Sequence, residues 1–192
     1  MIRLERPPCP NTRALRTNYK HPENKDALRK ACSDKCMYCE SRITATYFGD
    51  VEHIRPKDRF AHLEFVWENL GFVCAKCNNA KSNKWDDSTP FLNPFEEAPE
   101  EHLAACGPFI YHFDGSERGE YTWREIDLNR PELVSERKER IDALRILIDK
   151  LKRTKNAAIR VAIQEELARE LSNASVYSLV VKAAAVQLLA RG

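Results

Sequence analysis

No stretch of this 192-residue sequence is both long and apolar enough to cross a bilayer. The most apolar segment, 176–190, is interrupted by Lys182 and Gln187. Met1 is not followed by an apolar core, and residues 1–30 are rich in Arg, Lys, Asn and Pro, so no secretory signal is expected. The expectation is a soluble, cytoplasmic protein. Charge of one sign is scarce too: 31 Lys and Arg stand against 29 Asp and Glu, a net +2. That is too little to grip a polyanion by bulk electrostatics, so any contact with nucleic acid must come from a local patch or a partner. Internal repeats and low-complexity tracts are also missing. The length suits one compact domain or a small domain with an extension.

Cysteine is not scarce. There are seven, an odd number in a chain expected to be intracellular, which argues against a disulfide framework. Four fall into two Cys-x-x-Cys pairs, Cys36/Cys39 and Cys74/Cys77; Cys9, Cys32 and Cys106 stand alone. Four thiolates satisfy tetrahedral Zn²⁺ with no open position, as a structural site requires. The segment between the pairs, 40–73, is longer than in a simple zinc ribbon and must hold a folded unit. Redox-active or plainly buried thiols are the other reading, but the βαβ setting of a thioredoxin-like motif is not seen. Cys32, four residues before Cys36, is an alternative ligand.

The pattern along the chain predicts an α+β protein. Residues 1–22 show no period and read as an irregular arm, followed by a short helix over 23–31. Two β-prone runs, 42–48 and 51–55, flank Gly49-Asp50 as in a hairpin, and Pro56 ends the second. A short helix is expected after Cys77, then an extended linker over 86–99 with three prolines. Runs 109–113 and 120–126 read as a second hairpin. Asn129-Arg-Pro-Glu132 reads as a helix start with Asn129 as cap. Leu133, Ile141, Leu144, Leu147 and Leu151 then lie near helical spacing, and Ile159, Ile163, Leu167 and Leu171 form a second stripe. Segment 176–189 is apolar nearly all round, implying a buried helix or one covered by another chain. The basic run from Arg137 to Lys155 is interleaved with acids and reads as a solvated helix face. The expected organisation is an arm at 1–29, a core at 30–100, and a hairpin with a helical region at 101–192.

Around the cysteine pairs stand Glu52-His53-Ile-Arg55-Pro-Lys57, Asn69-Leu70 and Cys77-Asn78-Asn-Ala-Lys81. Hydrolysis of a phosphodiester needs a base for water, a hard cation to neutralise the phosphate, and something to aim the base. Glu52, His53, Asn69 and Asn78 are the residue types that supply these. His21, His62, His102 and His112 fit no such motif.

The order Cys-x-x-Cys, Glu-His-x-x-Pro, Asn-Leu, Cys-x-x-Cys-Asn-x-x-Lys resembles the HNH endonucleases over residues 36–84. Glu-His-Ile-Arg-Pro-Lys, Phe91-Leu-Asn-Pro-Phe95 and Leu128-Asn-Arg-Pro are similar to the HNH nucleases of Septu- and retron-type anti-phage defence systems, which work beside an ABC/SMC-type ATPase. The resemblance implies a ββα-metal core stapled by zinc on Cys36, Cys39, Cys74 and Cys77. It implies His53 as general base, Asn69 as the residue that holds the catalytic loop and orients the His, and Glu52 and Asn78 (rather than Asn79) as ligands of a divalent ion. Many relatives carry His at the metal positions; oxygen donors here favour Mg²⁺ or Mn²⁺. Lys81, Arg55 and Lys57 are candidate phosphate contacts. The implied activity is cleavage of nucleic acid, DNA before RNA, leaving a 5′-phosphate. The alternative is a non-catalytic zinc module that binds nucleic acid or protein.

Overall fold

The computed structural model describes residues 1–43 and 48–190. At its centre β1 (Asp50–His53) pairs antiparallel with β2 (Leu70–Val73), Asp50 opposite Val73 and His53 opposite Leu70. Helix α3 (Ala75–Lys81) follows β2 directly. All four β2 residues are buried, so the strand lacks the alternation that marks a half-exposed one. Gly71 is required there: a Cβ would stand 2.2 Å from Met37 Sδ. This close approach lets Met37 N donate to Phe72 O at 3.0 Å, pinning the first Cys-x-x-Cys turn to the strand.

The α+β, ββα architecture agrees with the sequence reading, but the strand partners do not. β1 pairs with β2, across 16 intervening residues (54–69). Residues 44–47 of the expected 42–48 run lie outside the described residues; Arg42 forms an isolated bridge with Lys35. Asp50 is the first residue of β1 and not a turn residue.

The second hairpin is also shifted. β3 (Leu103–Cys106) pairs with β4 (Phe109–His112), and 120–126 belongs almost wholly to helix α4 (Glu117–Glu125). The alternation in Glu-Tyr-Thr-Trp-Arg-Glu-Ile mimics a strand, but Ser116 caps the segment, its Oγ accepting from Gly119 N at 3.2 Å. Buried Thr122 then accepts from Leu92 N at 2.9 Å, tying α4 to the proline-rich linker.

Three helices complete the chain: α5 (Pro131–Arg153), α6 (Ala157–Glu170) and α7 (Ser178–Ala190). α5 packs on α6 and α7, and α7 on β3. Asn129 is not the cap of α5. Arg130 holds that position, and Asn129 instead pairs with the Ile110 backbone, accepting from its N–H at 2.9 Å and donating to its carbonyl at 2.7 Å. Nor is the basic run wholly solvated: Arg137 is fully buried, donating to Leu128 O at 2.8 Å and lying over the Tyr177 ring. α7 buries Val180, Val181, Ala184 and Ala185 but leaves Val186 and Leu189 exposed. Among the described residues, no helix is long and apolar enough to cross a membrane.

The first 22 residues are more ordered than their composition suggests. They contain α1 (Thr12–Leu15) and lead into α2 (Pro22–Ala31), which packs on β2. Arg6 donates to the carbonyls of Trp67, Leu70 and Glu68 at 2.8–3.0 Å. Trp67 returns a bond from its indole to Pro7 O at 2.8 Å. Asn24, fully buried, accepts from Asn11 N and donates to Asn11 O. Glu40, in left-handed backbone at φ +62°, meets the Met1 amine at 2.5 Å, Lys35 and the Ser178 hydroxyl in a buried knot. One core therefore joins arm, centre and C-terminal helices. Each fully buried Leu or Phe in it (Leu28, Leu70, Phe72, Leu92) contributes about 1.5–3 kcal/mol.

Candidate active site and zinc knuckle

Cys36 and Cys39 lie in a turn before β1; Cys74 caps α3, and Cys77 is its third residue. The four sulfurs all lie within 4.8 Å of one another, with Cys39 and Cys74 Sγ 3.8 Å apart. A tetrahedral zinc at about 2.3 Å from each sulfur would set them about 3.8 Å apart, so the residues fit the ion. The knuckle geometry is visible in Cys77 N, which donates to Cys74 Sγ at 3.5 Å. Cys32 stands outside this group, a buried thiol that is not among the clustered sulfurs. Arg130 faces the cluster, its guanidinium 3.6 Å from Cys77 Sγ through two nitrogens and 3.9 Å from Cys74 Sγ. Four thiolates around Zn²⁺ carry a net double negative charge, and a buried cation beside them offsets part of it.

On the other side of the same unit, β1 ends in a cavity of about 200 Å³ whose lining includes Glu52, His53, Lys57 and Asn78. His53 is buried, its Nε2 3.0 Å from Glu64 O. A carbonyl only accepts, so Nε2 carries the hydrogen and Nδ1 keeps the lone pair. Burial holds the imidazole below its ordinary 6.5, so it is neutral at pH 7. The hydrogen bonds described for Asn69 go to the main chain rather than to the ring. Asn69 clamps the chain beyond it, accepting from Arg55 N at 2.8 Å and donating to Arg55 O at 3.0 Å and Leu63 O at 3.3 Å.

Glu52 is buried with Oε1 2.6 Å from Lys81 Nζ. Burial pushes its carboxyl up, and the Lys81 ammonium opposes that. Asn78 donates from Nδ2 to Asp50 Oδ2 at 3.0 Å, which leaves its amide oxygen as the ligating end. Asp50 and Glu52 alternate onto one side of β1. Carboxylate and amide oxygens at one cavity suit a hard divalent cation.

The candidate phosphate contacts separate. Lys57 lines the cavity, 3.1 Å from Glu64 Oε1. Lys81 is fully buried, spanning Glu52 and His53 O at 2.9 Å, and is not among the lining residues. Arg55 lies over the Phe60 and Trp85 rings and lines a neighbouring cavity. Tyr19, Asp50, Glu64 and Arg130 were missed from sequence. Asp50 was signalled by its i−2 spacing from Glu52, and Arg130 by the Leu-Asn-Arg-Pro motif. Glu64 acts through its main chain, which no side-chain motif records.

Residues 36–84 match the family model described as HNH endonuclease. The matched segment holds the four zinc-fitting sulfurs together with Glu52, His53, Asn69 and Asn78. The chain is also similar to Septu protein PtuB of Bacillus mycoides (strain KBAB4), at 30% identity over 62% of this chain and 51% of that protein. It is likewise similar to Septu protein PtuB of Bacillus thuringiensis, at 32% identity over 57% of this chain and 42% of that one. The chain thus spans about half the length of the curated relatives it matches.

Proposed function

We propose that the chain is a metal-dependent HNH endonuclease that hydrolyses phosphodiester bonds of DNA, as the effector of an anti-phage defence system. The observation that carries this reading is the His53 imidazole: neutral, bonded through Nε2 to Glu64 O, and lining a cavity together with Glu52 and Asn78. Nδ1 takes a proton from the attacking water. Asn69 fixes the loop that follows His53, and Glu64 O fixes the ring's tautomer. Lys57 lends positive charge to the phosphate at the cavity rim. Glu52 and Asn78 would hold Mg²⁺ or Mn²⁺, which when bound supplies charge stabilisation to the phosphate and the leaving oxygen. Lys81 holds Glu52 ionised despite its burial, as an internal counter-charge. The likeness to the Septu proteins supports a partner of ABC/SMC ATPase type.

Nicking of supercoiled plasmid by zinc-loaded protein with Mg²⁺ or Mn²⁺ tests this, alone and with a co-expressed ATPase, with total RNA as a parallel substrate. Cleavage should vanish with EDTA and fall about 10²–10⁴-fold in His53→Ala. Folded protein that cleaves neither substrate, with or without the ATPase, overturns the reading; cleavage of RNA alone overturns the DNA assignment.

A further inference from the structure

The cavity has a wall that the matched segment does not contain. Between α1 and α2, Tyr19 and Lys20 reach the same space as Glu52, His53 and Asn78. This stretch is held in place. Lys20 N donates to Asn18 Oδ1 at 3.0 Å and His21 N to Asn18 O at 3.2 Å, a local turn that turns on one asparagine. The Asn11–Asn24 exchange and the three bonds of Arg6 fix the chain before it. The Tyr19 ring centroid is 4.4 Å from that of His53, with the planes inclined at 62°. Phe65 backs the tyrosine at 6.4 Å. Lys20 and Lys57 bring their ammonium groups within 5.5 and 5.2 Å of the same ring.

A single hydrogen bond from Nε2 to Glu64 O leaves the imidazole free to swing about that bond. A ring packed in T-shaped contact removes the swing, because displacing either ring forfeits the contact. Two constraints from different directions are what define the line of the Nδ1 lone pair. We propose that Tyr19 is a positioning residue for His53, its ring fixing the imidazole plane against the Glu64 carbonyl. The role belongs to the ring and not to the hydroxyl, which distinguishes it from a proton donor. It rests on the nuclease reading above and extends that site to the N-terminal arm.

The test compares Tyr19→Leu, Tyr19→Phe and Lys20→Ala in zinc-loaded protein, measuring plasmid nicking together with NMR of histidine-labelled samples. The His53 ring signal is assigned from His53→Gln. Tyr19→Leu should lower kcat about 10- to 100-fold, as expected of a misaligned base, with KM nearly unchanged, and should move the His53 ring signal as the aromatic shift is lost. Tyr19→Phe should keep both the signal and at least a third of kcat (an expectation of near-full rescue by the ring). Lys20→Ala, which removes a cavity cation and leaves the ring, should raise KM with kcat nearly unchanged. Full kcat in Tyr19→Leu, an unmoved His53 signal, or a Tyr19→Phe as impaired as Tyr19→Leu overturns the role. Should Tyr19→Leu lose zinc or fold, Tyr19→Met, which keeps bulk without a ring, takes its place with the same expectations. Absence of cleavage by the wild type overturns the nuclease reading and the role with it, and is told apart from failure of the role alone, in which the wild type cleaves and the variant cleaves equally well.

Discussion

The zinc knuckle and the cavity share helix α3, yet they are made in opposite ways. At the knuckle, four sulfurs converge directly on one point, three of them buried and the fourth, Cys74, partly so. At the cavity no two of the proposed catalytic groups share a hydrogen bond among those described; each is held through something else. Glu64 O holds His53, Lys81 holds Glu52, Asp50 holds Asn78, and Asn69 holds the Arg55 backbone. A metal that holds a fold together needs every donor saturated. A site that must admit water and phosphate needs donors left open and fixed from behind.

The largest effect should come from breaking the knuckle. Cys77→Ser, or prolonged chelation, should unfold the domain, since structural zinc in small domains contributes on the order of 10 kcal/mol. Zinc content and circular dichroism measure it; a folded, zinc-free variant would show that the knuckle is not what holds the unit. Next is the strut behind the cavity. Lys81→Met leaves Glu52 buried without its cation and should destabilise by about 3–5 kcal/mol, read from denaturant midpoints. If Lys81 were instead a phosphate contact, KM would rise and stability would stay as it was.

Arg130→Met tests whether the knuckle too has support from behind. Loss of the guanidinium beside Cys74 and Cys77 should weaken zinc retention about 10- to 100-fold, followed as release to a coloured chelator, with cleavage by zinc-loaded protein little changed. The mildest probe is pH. Burial holds the His53 imidazole below 6.5, and the neutral form is the base, so cleavage should be at plateau at pH 7 and fall as pH drops through that lowered value. A profile that rises toward acid would assign the proton transfer to another group.

Much of this was visible in the sequence because the chemistry is local. The knuckles rest on spacing within four residues, and helices α2, α5 and α6 on periodicity within one segment. What was not visible depends on distant partners. β2, Leu-Gly-Phe-Val, is buried on both faces and shows no period, so its pairing with β1 had no local mark. β3, Leu-Ala-Ala-Cys, has weak strand propensity and is a strand because β4 and α7 pack on it. Tyr19 sits in a segment with no pattern at all; bonds from Asn24, Trp67 and Arg6 decide where it lies. Lys81 reads as a phosphate contact because nothing in Asn-Asn-Ala-Lys announces that its ammonium is turned inward.

Helix α3 is seven residues long, and neighbouring residues in it face different tasks: Cys77 turns to the sulfurs, Asn78 to the cavity. A helix of that length does not persist by itself in water; it lasts only while its first turn is tied down. On the proposed reading, α3 is secured when the four thiolates close on a metal, and Asn78 and Lys81 take their places with it. A newly made chain would then have no working cavity until it had bound zinc.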